Sequence, residues 1–332
     1  MLRSAAEPHH GLRARSHVVS VLPAAELMAL GTALCIALSG LTTSEAFGSV
    51  GVLTVTRWNV LATLLFHATV ATVMGGWATL TPSAIWQLAL SGLLAIVAAA
   101  PCYYGSIALL GPRNSVLVFS LNAPLTALIG LPLFGENLGW REVAGVALVL
   151  VGIAIATRLA RPDPPRAAAS AEAAAPEVYR FAGLTELSPA ALGILLGLGA
   201  ALGQAGGVLA AKPAMAGGAD PFAAMAVRFG TAAGFFLFAW WAGLEKDTRA
   251  RSRDWRPFGF TMLGTTFGNG FGMTLLLKAL VSGNTGIIAT FAATSPIMIL
   301  PLAWARTGRM PGPGAWIGAV LAVCGTALVM LG

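Results

Sequence analysis

Apolar runs of about 20 residues, the length a helix needs to cross the hydrocarbon of a bilayer, recur along this chain ten times. They cover roughly 22–41, 49–74, 84–109, 114–134, 142–159, 189–212, 220–243, 257–279, 283–304 and 313–331. Short stretches holding Arg, Gly or Pro separate them, and one long polar stretch, Arg161 to Leu187, falls between the fifth and the sixth. Its Ala, Pro, Glu and Arg content predicts a poorly ordered linker. The pattern predicts an all-α integral membrane protein with ten transmembrane helices. Five helices before the linker and five after it make two units, and an odd number of crossings brings the second unit in from the opposite side. The repeats are therefore expected to be inverted, related by an axis in the membrane plane. The expected organisation is a basic tail over 1–21, a first repeat over 22–159, a linker over 160–188 and a second repeat over 189–332.

Rare residues at matched spacing support the duplication. Arg57 sits early in one apolar run and Pro124 follows 67 residues later, while Arg228 and Pro296 repeat that pair 68 residues apart. Two helix glycines follow each proline, Gly145 and Gly152 in the first half, Gly318 and Gly325 in the second. Arginine is costly in an apolar run and proline breaks a helix, so chance recurrence of the set is a poor explanation.

Composition agrees. The chain is 57% hydrophobic and only 10% charged, against about 25% charged in ordinary soluble domains. The net charge of +7 lies in short loops between apolar runs, not on one face, which excludes the nucleic-acid reading. Cys35, Cys102 and Cys324 fall in apolar runs without paired spacing and read as small buried hydrophobes. His9, His10 and His17 lack the cysteine or carboxylate company of a metal site. The first 20 residues are basic, and Pro23 and Glu26 interrupt the apolar run after them, so a retained tail is expected rather than a cleaved signal. With the N-terminus placed in the cytoplasm, six Lys and Arg fall inside and twelve outside, the reverse of the positive-inside rule; orientation stays open.

Two glycine-rich stretches carry no nucleotide chemistry. Gly197-Leu-Gly-Ala-Ala-Leu-Gly203 lies inside an apolar helix with no preceding strand and the wrong final spacing, and Gly268-Asn-Gly-Phe-Gly272 has no P-loop lysine. No hydrolase or zinc-protease motif is present, so neither an enzyme nor a cofactor is expected. Gly193/Gly197 and Gly264/Gly268/Gly272 are spaced by four, which suits close helix packing in lipid.

Polar groups inside the runs are the candidates for function. Arg57 and Arg228 serve either as gating or substrate-binding charges or as structural ones that snorkel to water. Pro124 and Pro296 each free a backbone carbonyl, beside Asn122 in one unit and Thr294 and Ser295 in the other, and so line a substrate cavity or merely kink a helix for packing. Gln204, Asn269, Tyr103 and Tyr104 are further cavity candidates. His67 is a proton-relay candidate, although a lone histidine more often finds one helix partner and stays neutral. No Asp or Glu lies securely at mid-membrane, which tilts the substrate toward anionic, zwitterionic or neutral polar molecules.

These residues resemble the drug/metabolite transporter superfamily, specifically its EamA-type ten-helix proteins. The resemblance covers about 25–332. It rests on Arg57, Tyr104-Gly-Ser-Ile-Ala-Leu-Leu-Gly-Pro112, Asn122-Ala-Pro124, Gly135-Glu136 and the Gly145/Gly152 helix in the first unit. In the second it rests on Gly203-Gln204 through Lys212, Asp220-Pro221, Arg228, Thr294-Ser295-Pro296 and the Gly318/Gly325 helix. It implies inverted repeats around a central cavity, alternating access, an inner-membrane location and small-metabolite traffic. It also implies cytoplasmic termini, against the charge count. Where the first unit has Gly135-Glu136, the second has Arg306-Thr-Gly-Arg309 with no acid.

The function expected is secondary, not ATP-driven, export of small organic metabolites. The alternative is a non-transporting membrane scaffold or lipid-handling protein that retains the bundle. The partners expected are a small-molecule metabolite and the lipid bilayer, with a homodimer left open.

Overall fold

The computed structural model describes residues 22–46, 50–133, 139–158, 187–243, 255–282, 291–292 and 294–331. The basic tail with its histidines, nearly all of the 160–188 linker, Gly135-Glu136, the first part of the ninth run and most of the loop before Arg256 lie outside them.

All regular structure among the described residues is helical. α1 is Leu22–Ser44, α2 Val52–Met74, α3 Pro82–Gly92, α4 Ala99–Phe119, α5 Asn122–Leu133 and α6 Trp140–Arg158. After the linker come α7 Pro189–Ala216, α8 Pro221–Trp241, α9 Arg256–Thr265, α10 Met273–Ser282, α11 Ser295–Thr307 and α12 Pro313–Leu331. Four stretches are long and apolar enough to cross a membrane: Leu27–Ser44, Pro82–Phe119, Pro189–Ala216 and Pro221–Trp241. Three starts share one device. Thr81, Ser188 and Asp220 each accept the backbone N–H three residues on, and each is followed by a proline that needs no N–H partner in a first turn.

Two features recur in both halves. A π-helical segment, Leu93–Ala98, joins α3 to α4, and a second, Thr266–Gly272, joins α9 to α10. The fourth run is also interrupted. Ser120 and Leu121 form a turn before α5, and Thr294 forms one before α11, so Pro124 and Pro296 sit in the first turn of a new helix. The expected single helix over 114–134 is thus two pieces, with Pro124 in the first turn of the second, where its missing N–H leaves no carbonyl unpaired.

Pro82–Phe119 is not one straight rod. Gly111 takes φ 75° and ψ 164°, a backbone open to glycine, and Pro112 starts the return. Ser106 Oγ donates to Ser115 Oγ at 3.1 Å, and the Tyr103 and Phe119 rings lie 4.7 Å apart. A straight helix would hold those rings roughly 24 Å apart. The third and fourth runs are therefore an antiparallel hairpin.

The glycine rows set the packing registers. Gly193, Gly197, Gly203 and Gly207 of α7 meet Leu110, Ser106, Ala99 and Ala95, so α7 runs antiparallel to α4 and its π segment. Gly264, Gly268 and Gly272 meet Thr43, Ser39 and Cys35, so the α9–α10 helix runs antiparallel to α1. Gly152 lies on the Gly318 carbonyl and Gly325 on the Gly145 carbonyl, which makes α6 and α12 antiparallel too. Missing side chains let backbones touch where lipid offers no hydrophobic drive for association. All nine tryptophans fall within two turns of a helix end, as interfacial anchors do. Asp220 N–H donates to Thr79 Oγ1 at 2.7 Å between turns on one face, and Arg306 pairs with Glu45 on the other.

Candidate functional site

Among the described residues, polar groups on α2 and on α9 with its π segment form the best-connected polar cluster. Asn59, Thr63 and His67 repeat at four-residue spacing on one face of α2, and Thr261, Thr265 and Asn269 do so opposite. Asn59 Nδ2 donates to Thr265 Oγ1 at 2.7 Å. Asn269 Nδ2 donates to Asn59 Oδ1 at 3.3 Å and to Thr63 Oγ1 at 3.2 Å. Thr265 passes its own hydrogen to the Thr261 carbonyl, 2.9 Å away. Beside this network opens a cleft of about 90 Å³ lined by Ala62, Thr63, Phe66, Thr265, Gly270 and Phe271 among others. Its lining includes three threonines, Thr63, Thr265 and Thr266, and two aromatic residues, Phe66 and Phe271.

One turn further along α2 the His67 ring is fully buried. Its Nδ1 lies 2.9 Å from the Thr63 carbonyl, which can only accept, so Nδ1 carries the hydrogen. Phe229 of α8 stacks over the ring at 6.3 Å with planes 3° apart, and Phe66 meets it edge-on at 5.1 Å. His67 Nε2 has no partner among the described residues. The neighbouring Arg228 is 8% exposed. Its Nη1 reaches the Met225 thioether at 3.3 Å, a weak acceptor, and its Nε has no partner among the described residues.

The prolines make a second locality. Asn122 Nδ2 donates to the Phe119 carbonyl at 2.7 Å, and Thr294 Oγ1 donates to the Phe291 carbonyl, also at 2.7 Å. Phe-x-x-Asn-x-Pro124 and Phe-x-x-Thr-x-Pro296 thus make the same reach-back at both interruptions. Val116 and Ile299 share a core cluster with Ala37 and Leu41. Four residues on from each, in opposite chain directions, come Ser120 and Ser295, so the two interruptions fall at one depth. Pro124, Ser295 and Pro296 are buried. The ring contact of Tyr103 with Phe119 ties it to this locality, and Tyr104 packs behind it on Val55 and Ile107.

The sequence candidates therefore separate. Asn122 and Tyr103 both meet Phe119, one at its carbonyl and the other at its ring, Asn269 joins residues of α2, and His67 and Arg228 stand apart from both. Gln204 lies half-buried on α7 and makes no side-chain hydrogen bond among the described residues. Arg57 is half-buried and donates from Nη2 to Thr54 Oγ1 at 3.3 Å. Asn59, Thr63 and Thr265 were not singled out from the sequence, although their four-residue spacing toward His67 and Asn269 carried the signal. No group of three or more metal-ligating side chains occurs among the described residues.

Comparison with known proteins adds one family and one fold. A model described as the EamA-like transporter family matches residues 23–158 and again 191–331. A solved crystal structure, described only as that of a protein, superposes with a TM-score of 0.61 over 93% of this chain and 97% of its own, at 16% identity, a likeness of fold alone. No curated protein matches the chain.

Proposed function

The chain belongs to the EamA-like transporter family, and on that premise we propose that it is a secondary exporter of small organic metabolites working by alternating access. Membership makes it an integral membrane transporter of the drug/metabolite type. The finer reading is two inverted five-helix repeats, ten crossings in all, in a cell inner membrane. One observation supports the inversion. The first helix of each repeat packs antiparallel against the third of the other, α1 on α9–α10 and α7 on α4 with its π segment. Repeats in the same orientation would make those pairs parallel.

In this reading the substrate site lies where the interrupted helices meet at one depth, bounded by Asn122, Pro124, Ser295 and Pro296, with Tyr103 and Tyr104 on one side. Short half-helices reorient at less cost than a continuous one, since single-turn bonds such as Leu121 N–H to the Val118 carbonyl and the Asn122 and Thr294 reach-backs replace the continuous ladder at the break. No nucleotide motif is present, so an ion gradient or the substrate's own gradient supplies the drive.

The test compares culture medium from cells with and without the overproduced protein by untargeted mass spectrometry. Compounds accumulating outside, and not with Pro124→Leu and Pro296→Leu, support export. Selective depletion reverses the direction. An unchanged medium with the protein folded in the membrane favours the scaffold or lipid-handling alternative.

A further inference from the structure

A guanidinium enclosed in a membrane protein is expensive unless something of opposite charge meets it. Arg228 has no carboxylate partner among the described residues, one nitrogen without any partner, and a thioether on another. Beside it His67 presents a second unpartnered nitrogen. Because Nδ1 already donates to the Thr63 carbonyl, Nε2 of the neutral ring holds a lone pair, and filling it takes a proton. The resulting imidazolium would stand next to Arg228, two cations together in an apolar setting. That state becomes accessible once an anion lies between them.

We propose that Arg228 and His67 form the binding site for a small organic carboxylate, which enters together with one proton taken from water by His67 Nε2. The proposal rests on the transporter reading and adds to it an anion-binding locality on α2 and α8, apart from the one bounded by Pro124 and Pro296, with a ligand class and a proton of its own. Arg228 supplies the fixed charge and His67 the charge that appears on binding, so the loaded site is one charge more positive and one more negative than the empty one, and nets to no change. Phe222, Phe229 and Met225 offer apolar surface to the body of the carboxylate. Phe66 both lines the open cleft and packs on His67, so that one ring touches the cleft and the site alike. The other charged or titratable groups on α2 and on the elements packed against it are Arg57 on α2, Asp220 at the start of α8, Cys102, Tyr103, Tyr104 and Arg113 on α4, and Arg256 at the start of α9.

The purified full-length protein in detergent is titrated with sodium benzoate, sodium acetate and sodium chloride at constant ionic strength. Tryptophan fluorescence follows thermal unfolding, and a pH indicator in weak buffer follows proton uptake. Benzoate is expected to raise the unfolding midpoint, with up to one proton taken up per protein, and its affinity to rise about tenfold per pH unit on acidification above the imidazole's titration. Arg228→Gln is expected to weaken benzoate at least about thirtyfold, Arg228→Lys less, and the exposed Arg309→Gln not at all. His67→Gln keeps a benzoate shift but loses proton uptake and the pH slope. A response to chloride equal to that to benzoate makes the site one for inorganic anions and overturns the carboxylate assignment. A folded wild type indifferent to all three anions, or an Arg228→Gln that binds benzoate as well as wild type, overturns the site. If overproducing cells still alter their medium in that case, the transporter reading stands without it.

Discussion

The face between α2 and α9 and the face between α8 and α3 occupy equivalent places in the two repeats, yet they are filled differently. At the first, Thr265 receives Asn59, Asn269 reaches across to Thr63, and a cleft remains alongside. At the second, Gly92 stands just before the π segment, as Thr265 does in the other half, and the Arg228 backbone lies directly on it. One face is held apart by hydrogen-bonded side chains, and the other is closed backbone to backbone. The arginines follow. Arg57 stays half-buried with a threonine hydroxyl for company, while Arg228 is drawn into the interior. Duplication gave the two faces one geometry, and single residues decided which became a polar seam and which a tight joint.

The largest effect is expected from opening the tight joint. Gly92→Leu drives a side chain into the Arg228 carbonyl and should cost about 3 kcal/mol or prevent folding, since overpacked sites lose about 1–3 kcal/mol. Fluorescence-detected size exclusion after heating reads this; wild-type survival would mean that the joint has slack. Thr265→Val, at the equivalent position, keeps the shape but leaves Asn59 Nδ2 without its acceptor. The loss should be about 1 kcal/mol, and an unchanged unfolding midpoint would remove the seam's stabilising role. Smaller still, a double-mutant cycle of Asn59→Ala and Asn269→Ala should give a coupling of about 0.6 kcal/mol, the average for hydrogen bonds between membrane helices. Zero coupling would make the two amides independent. Arg228→Met should leave stability unchanged or raise it slightly, because it removes a buried charge that has no carboxylate partner.

Much of this was legible in the chain itself. The apolar runs located most of the described helices to within a few residues, and the Asp220-Pro221 pair opens one of them. Leu110-Gly-Pro112 marked the hairpin between the third and fourth runs. The paired prolines pointed to the interruptions, though not to their form, since a proline alone does not say whether it bends a helix or opens a new one. The π segments were out of reach. Leu93–Ala98 is uniformly apolar and carries no sign of a widened turn. The unequal fates of Arg57 and Arg228 were equally hidden, because they depend on Gly92, a neighbour from the opposite repeat. The Asn59–Thr63–His67 row was in plain view, but a polar row within one helix gains meaning only when Thr265 and Asn269 face it.

The central claim, access to one site from each side in turn, has a direct test. A single cysteine is placed at Ser295, with Cys35, Cys102 and Cys324 replaced by alanine. Membrane-impermeant maleimide is then applied to right-side-out and to inside-out vesicles. Alternating access predicts labelling from both sides, each suppressed by a substrate that fixes the opposite state. Protection from both sides, or reaction from one side alone under every condition, would contradict it.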